Sequence, residues 1–445
     1  MSYELGKLLI KKKEYNKAFM IFKDILKKNP NDLGANFQLG KINYELNDLN
    51  QSIFFFKKCN QIQANTPSIL FNLALSLQSI GKINEAKKQY LKLISINPND
   101  VKSYYGLFFL DITNINSNYY NKLQSLINNN KISLFEKSLI NFIFSKIEKK
   151  NGNLNNEINF LEISHQQCYN SNSTFNNQSD FYYKNIISNF FNKIKFEKNF
   201  IEVENFNKNE HIFIVGLPRS GSTLVETILS HNSKSIVSVG EFHGINTSIL
   251  DQISKFIFSQ NFKYTDYQLV IDRKIFQNSL IEKYNNFERS IYLDKSLENF
   301  FNIDIILEFF PNAKFIHTFR NYEDSILGIY LSMLPELSWS HNIKNIINYI
   351  KNYKRVINYY ISKYPDKIID VDLSKLTNNQ ESEGKKILEF CNIPVNDNFL
   401  NFYKNKKLFN KTNSFLQVRN KIMKYENEKY KHYYYLLKDS NEQKF

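Results

Sequence analysis

Apolar residues follow two rhythms along this chain, and the change of rhythm divides it. Over the first 110 residues they return with a period of 34, at Leu5, Leu39, Leu73 and Leu107. A small residue follows each of the first three (Gly6, Gly40, Ala74). Twelve residues after it come Ala18, Ser52 and Ala86, and sixteen after it Phe22, Phe56 and Tyr90. Pro30 and Pro98 close the first and third units, where the second has Ala64. Such a period marks one supersecondary unit repeated, each needing its neighbours to bury its apolar face. It predicts paired helices that touch at the small positions, with an aromatic side chain filling the gap.

From Leu107 to about Asn176 the period weakens while the pattern stays helical. Leu134 to Ile147 is amphipathic, Gly152-Asn153 breaks it, and Glu157 to Gln167 resumes it. The polar, low-complexity run Tyr169 to Asp180 reads as a loop or linker, which sets a domain boundary between about 170 and 205. Beyond Lys208 short apolar runs alternate with helical patterns. Candidate strands are Ile212–Val215, Ile236–Val239, Ser290–Leu293, Lys314–Phe319 and Lys367–Val371. This alternation predicts a parallel sheet covered on both faces. Ligands of such sheets bind at the carboxyl ends of the strands.

The first of those ends carries the most informative stretch, Gly216-Leu217-Pro218-Arg219-Ser220-Gly221-Ser222-Thr223, followed by Leu224, Val225, Ile228 and Leu229 at helical spacing. A strand, a glycine-bearing loop and a helix make a phosphate cradle of backbone N–H groups at a helix N-terminus. The loop resembles the nucleotide-triphosphatase loop, but Ser222 stands where that loop has its lysine. Arg219 supplies the positive charge instead. The other ends carry Glu241, a candidate general base with His243 two residues on as its rival; Lys295, suited to neutralising developing charge or to pairing with its neighbour Asp294; and Arg320, suited to bidentate phosphate binding. His317, inside an apolar strand, reads as a core histidine. Towards the C-terminus, Thr412 to Arg419 is polar and followed by Lys421, Lys424, Lys429 and Lys431.

Composition narrows the class. The net charge of +15 suits a polyanionic ligand, although a chain rich in Lys, Asn, Ile, Phe and Tyr throughout reaches such a charge by compositional bias as well. Charge alone leaves a nucleotide cofactor, a sulfated glycan, an acidic peptide and a nucleic acid open as the anion; no nucleic-acid partner is expected. Cys59, Cys168 and Cys391 are few and scattered, which suggests neither a disulfide framework nor a C-x-x-C metal site. The N-terminal MSYELGKLLIKKKEY has charges where a signal peptide has its apolar run, and no apolar stretch reaches 18 residues. A cytoplasmic protein without a membrane span or bound metal is expected.

The repeats resemble tetratricopeptide repeats, and GLPRSGSTLVE resembles the 5′-phosphosulfate loop of sulfotransferases that use 3′-phosphoadenosine-5′-phosphosulfate (PAPS). With DKSLENFF, PNAKFIHTFRNYED, ILEFCNIPVNDNFLNF and TNSFLQVRN in order behind the loop, the chain resembles the bacterial tetratricopeptide-repeat sulfotransferases, relatives of tyrosylprotein sulfotransferases. The resemblance implies repeats over 1–110, a degenerate helical repeat and linker over 111–205, and a P-loop-like α/β sulfotransferase domain over 206–445. It implies transfer of a sulfuryl group from PAPS to an acceptor hydroxyl on a peptide tyrosine, a sugar or a lipid head group. Arg219, Ser220, Gly221, Ser222 and Thr223 would bind the 5′-phosphosulfate and Arg320 the 3′-phosphate. Glu241 would be the base, Lys295 and Ser414 would stabilise the transition state, and Gln417, Val418, Arg419 and Lys429 would line the cofactor. The repeat surface would recruit a protein or peptide, or serve as a scaffold. Three departures stand out. The family serine eight residues after the 3′-phosphate arginine is Gly328, a family tyrosine is Leu373, and the interval from the loop to Glu241 differs by one. The first two motivate an alternative, a non-catalytic repeat scaffold with a degenerate nucleotide-binding domain.

Overall fold

The 34-residue period becomes helix pairs: α1 (Ser2–Lys11) with α2 (Tyr15–Lys28), α3 (Leu33–Glu45) with α4 (Leu49–Ile62), and α5 (Pro67–Ser79) with α6 (Ile83–Ile96). The small positions are where each pair touches. A Cβ on Gly6 would lie 2.6 Å from the Phe22 ring, and one on Gly40 2.7 Å from that of Phe56. Ala18, Leu39, Leu73, Ala86 and Tyr90 are buried with those rings, whereas Leu5 is exposed. Asp32 and Asp48 cap α3 and α4 by accepting from the N–H groups of Ala35 and Gln51, and Pro67 occupies the first turn of α5. Asn47 and Gly81, 34 residues apart, take the positive φ that the tight turn within a pair requires.

The helical region continues through α7 (Val101–Leu110), α8 (Ser117–Ile127), α9 (Leu134–Lys150), α10 (Leu154–Ser171) and α11 (Ser173–Phe181). Ser133 and Glu136 form a reciprocal capping box at the start of α9. Tyr169 to Asp180, expected as a loop or linker, is instead helical apart from a break at Asn172. Its Asn176 and Asp180 are buried. Tertiary packing therefore carries a helix that its Asn- and Ser-rich composition does not advertise.

This computed structural model describes residues 2–12, 14–196, 210–233, 235–257, 269–271, 291–404, 419–425 and 429–440. They fall into two compact units that part between Ser173 and Thr174. In the second, β1 (Ile194–Phe196) pairs in parallel with β4 (Leu269–Ile271). A five-stranded parallel sheet is built from β2 (Glu210–Gly216), β3 (Ile236–Gly240), β5 (Ile291–Asp294), β6 (Lys314–Phe319) and β7 (Ile368–Asp372), in the order β3-β5-β2-β6-β7. All five expected strands are therefore present. Residues His211 to Gly216 of β2 are buried, as a central strand covered on both faces should be. The chain fills one side of β2 with β3 and β5 before crossing to β6 and β7. The carboxyl ends of β5, β2 and β6 therefore flank the point where strand order reverses, the usual place for a ligand crevice. Among the described residues, no helix is long and apolar enough to cross a membrane.

Candidate functional site

At its carboxyl end β2 runs into a loop whose backbone is fixed by close approach. Gly216 has φ +145°, and a Cβ there would lie 3.0 Å from the Thr318 hydroxyl of β6 and closer still to its carbonyl oxygen. The Ser220 hydroxyl meets that of Thr318 at 2.7 Å, with both residues buried. Arg219 (φ +67°) and Gly221 (φ +92°) are left-handed. Left-handed residues alternating with ordinary ones form the pattern that turns successive N–H groups to one side and makes an anion nest. Gly221 is also the N-cap of α12 (Ser222–Asn232), so the helix N-terminus opens on the loop. Leu373, next to the end of β7, packs on Gly221, where a Cβ would meet its Cδ1 at 2.5 Å.

The end of β6 delivers a second arginine. Arg320 is 7% exposed, and its Nη2 donates to the Asp324 carbonyl oxygen at 2.7 Å in the first turn of α14 (Tyr322–Tyr330); between α12 and α14 in sequence lies α13 (Gly244–Ile257). The buried Nε–H of Arg320 has no hydrogen-bond partner. Among the described residues no carboxylate forms a salt bridge with it. Tyr430 lays its ring over the guanidinium at 5.4 Å. The space comes from Gly328, where a Cβ would lie 3.1 Å from Arg320 Cζ and closer still to Nη2. Asn321 caps α14, and the Asp324 carboxylate accepts from the hydroxyls of Tyr425 and Tyr434, the latter at 3.1 Å. Arg219 is near enough for mutual repulsion, since burial first, and then Arg320 against the opposing pull of Tyr430, holds its guanidinium below the usual pKa. A buried guanidinium with an unpaired donor, and a second guanidinium within electrostatic reach, is an arrangement that suits an anion.

The ends of β3 and β5 bring together a third group. Lys295, 1% exposed, donates from Nζ to Glu241 Oε1 at 2.6 Å and stands 3.7 Å from Glu226 Oε2 of α12. Burial lowers the pKa of the ammonium, but Glu226 and Glu241 more than reverse this and hold it above its usual value. The pairing of Lys295 with its neighbour Asp294 is not what forms, because Asp294 Oδ1 accepts from the Ser296 N–H at 2.7 Å. His243, the rival base, is left-handed (φ +53°) and bonds through Nδ1 to Glu298, while its N–H donates to Ser296 Oγ at 2.7 Å. Burial opposes protonation of His243 and Glu298 favours it, with a net upward shift. His317 has both ring nitrogens bonded, to Asp370 at 2.7 Å and to Tyr353, as expected of a core histidine.

Residues 211–397 match the model of the sulfotransferase family, and residues 2–32, 33–66 and 67–100 match tetratricopeptide repeats. The chain thus joins tetratricopeptide repeats to a sulfotransferase-family domain. A protein of Aquifex aeolicus (strain VF5), described only as uncharacterised, is 24% identical over 382 residues, which is 82% of this chain and 48% of that one. The chain therefore spans about half the length of the curated relative it matches. The sulfotransferase domain of the Synechococcus PCC 7002 olefin synthase is 19% identical, over 49% of this chain and 86% of that one, with TM-score 0.30. That of the curacin biosynthetic pathway is 15% identical, over 52% and 98%, with TM-score 0.30.

Within the sulfotransferase-family domain the structure brings Arg219, Ser220, Gly221, Ser222 and Thr223 to one strand end, Arg320 to the next, and Glu241 and Lys295 into contact. Ser222 and Thr223 are buried at the start of α12. Ser414, Gln417 and Val418 lie outside the described residues. Arg419 is half-buried, which lowers its pKa, and Lys429 is exposed. Ser325 and Ser332, the serines on either side of Gly328, donate to the carbonyls of Asn321 (2.9 Å) and Gly328 (2.6 Å). Sequence reasoning missed Glu226, Glu298, Thr318, Tyr425 and Tyr434. Glu226, a carboxylate one turn into a helix that opens on a phosphate loop, was the one with a readable signal. Among the described residues no cluster of three or more His, Cys, Asp or Glu is arranged to hold a metal ion.

Proposed function

We propose that the domain is a sulfotransferase that takes PAPS as donor and an acceptor hydroxyl as substrate. The observation that carries the reading is the buried guanidinium of Arg320 at the end of β6, with its Nε–H unpaired and the half-buried Arg219 of the loop within electrostatic reach of it. A buried, hydrogen-bonding cation left unsatisfied costs several kcal/mol unless an anion completes it. Two guanidinium groups at neighbouring strand ends, that of Arg320 with a donor unpaired, fit a ligand with two separate phosphate-like groups. PAPS supplies the sulfuryl group on its 5′-phosphate and carries a second phosphate at the 3′ position.

In this reading the loop N–H groups, Arg219 and the α12 N-terminus hold the 5′ end. Arg320 holds the 3′-phosphate, which sets the donor apart from ordinary adenine nucleotides. Glu241, 47% exposed, takes the proton of the acceptor hydroxyl as its oxygen attacks sulfur in line with the departing 5′-phosphate. Lys295, released from Glu241, neutralises the charge that gathers on the sulfuryl oxygens and the leaving phosphate. On the strength of the family resemblance, Ser414 joins Lys295 in stabilising the transition state, and Gln417, Val418, Arg419 and Lys429 complete the cofactor site. The tetratricopeptide repeats receive a protein or peptide partner.

Calorimetric titration with 3′-phosphoadenosine-5′-phosphate, with ATP and AMP as controls, tests the reading. Selective binding of the 3′-phosphorylated nucleotide supports it, and preference for ATP overturns it. The scaffold alternative predicts binding without turnover. Transfer from labelled PAPS that is lost in Glu241→Ala or Lys295→Ala would dispose of it.

A further inference from the structure

We propose that Glu226 is the resident counterion of Lys295, holding the ammonium before the donor arrives and taking up a proton when the donor draws the ammonium away. This rests on the reading of the site as one for a phosphosulfate donor. Its basis is the asymmetry of the two carboxylates that share Lys295. Glu241 is 47% exposed, so water solvates it when the lysine leaves. The Glu226 side chain is 15% exposed and belongs to the second turn of α12. Once stranded there beside an incoming polyanion, it would be a largely buried charge without a counterion, and neutralisation is its least costly state.

Hydrogen-bond direction identifies the atom. The Gly240 N–H donates to Ser238 Oγ at 3.1 Å, and Ser238 gives its one proton to Glu226 Oε1. Oε1 is therefore an acceptor already in use. Oε2, which faces Lys295 Nζ at 3.7 Å, receives the new proton as the ammonium withdraws. The charged groups facing Glu226 are Lys295 from the end of β5 and Glu241 from the end of β3. Burial already raises the pKa of the Glu226 carboxyl, against the opposing pull of Lys295.

The test is calorimetric titration of the full chain with 3′-phosphoadenosine-5′-phosphate in buffers of different ionisation heat, on the acid side of neutrality. The parent should take up about one proton per nucleotide beyond the ionisation of the nucleotide itself. Glu226→Gln, which keeps an oxygen for Ser238, should still bind and lose that uptake, whereas Glu241→Gln should retain it. Equal uptake in the parent and Glu226→Gln overturns the proposal, as does no uptake in the parent. A parent that binds no nucleotide at all refutes the donor reading instead. The pairing is then decided without a ligand by the thermal stabilities of Glu226→Gln, Lys295→Met and the double variant. Losses that fail to add support the pair, and additive losses overturn it.

Discussion

Gly328→Ala is the most informative single substitution in the proposed donor site, because two opposing effects can be weighed beforehand. Position 328 lies inside α14, where alanine is favoured over glycine by up to about 1 kcal/mol. Propensity alone therefore predicts a more stable protein. The new methyl would, however, stand 3.1 Å from Arg320 Cζ and inside the contact distance of Nη2, and it would also approach the Tyr430 hydroxyl at 3.3 Å. The guanidinium must move away from the helix and give up its 2.7 Å bond to the Asp324 carbonyl. A buried hydrogen bond from a charged donor contributes about 1.5–3 kcal/mol, so the loss outweighs the gain. The expected net change is a destabilisation of roughly 1–2 kcal/mol. For a domain of this size that lowers the melting midpoint by roughly 2–8 °C. Affinity for 3′-phosphoadenosine-5′-phosphate should fall about tenfold or more, since a displaced guanidinium forfeits about 1.4 kcal/mol or more of its phosphate contact. Differential scanning calorimetry and titration calorimetry read the two quantities independently. A variant more stable than the parent with unchanged affinity would refute the reasoning, because Arg320 would then not be held against Gly328. Gly328→Ser shares the collision but adds a hydroxyl, and should lose less affinity than the alanine variant.

Other expectations follow from the same geometry. Arg219→Ala and Arg320→Ala should each weaken binding of 3′-phosphoadenosine-5′-phosphate by about 1.5–3 kcal/mol in titration calorimetry. The Arg320 variant should also lose its preference over AMP, and unchanged affinity would mean that the 3′-phosphate lies elsewhere. Gly221→Ala imposes roughly 1–2 kcal/mol of left-handed strain and collides with Leu373. Its melting midpoint should drop and be partly restored by adding Leu373→Ala, and a variant as stable as the parent would contradict the assigned backbone. His211, packed 3.9 Å from Phe310 and 5.2 Å from Tyr292, is held neutral by burial, its pKa lowered from 6.5 to about 3. In that window the unfolded chain binds a proton that the folded chain refuses, so stability falls as pH drops through it. His211→Phe should flatten this acid limb in pH-dependent denaturation, and an unaltered limb would show that the imidazole does not carry it.

Much of the fold was legible because local chemistry and tertiary packing agree. The 34-residue period survives in sequence because each helix pair repeats one contact, a glycine or alanine facing an aromatic ring, as Gly40 faces Phe56. The strand-loop-helix at 210–232 was legible for the same reason, since Gly216 and Gly221 stand where the backbone is too crowded or too twisted for other residues. The helix over Tyr169 to Asp180 was not, because its stability comes from what buries Asn176 and Asp180 rather than from its own composition. Pairings across long separations were also invisible. Lys295 finds Glu241, 54 residues earlier, rather than the adjacent Asp294, and Asp324 receives Tyr425 and Tyr434, 101 and 110 residues later. Spacing marks a strand end as a place for chemistry. It does not say which carboxylate will meet which cation there.

The two departures that motivated a degenerate scaffold look different once their neighbourhoods are known. Loss of a side chain in a decaying site should leave a void or slack packing. At Gly328 the vacated space holds the Arg320 guanidinium, and at Leu373 the shorter side chain closes on Gly221. Arg320 is 7% exposed with Nε unpaired, and Lys295 is 1% exposed between two carboxylates. Keeping either charge out of water opposes folding by several kcal/mol before compensation. Replacement by an apolar residue of similar size would often be neutral or stabilising, so a site released from function has an easy path to losing them. That both remain, at the ends of the two strands that flank β2 and with a strained Arg219 in the loop after β2, is the pattern of strain and desolvation that active sites retain. The packing at Gly328 and Leu373 therefore favours the proposed donor site over the degenerate scaffold.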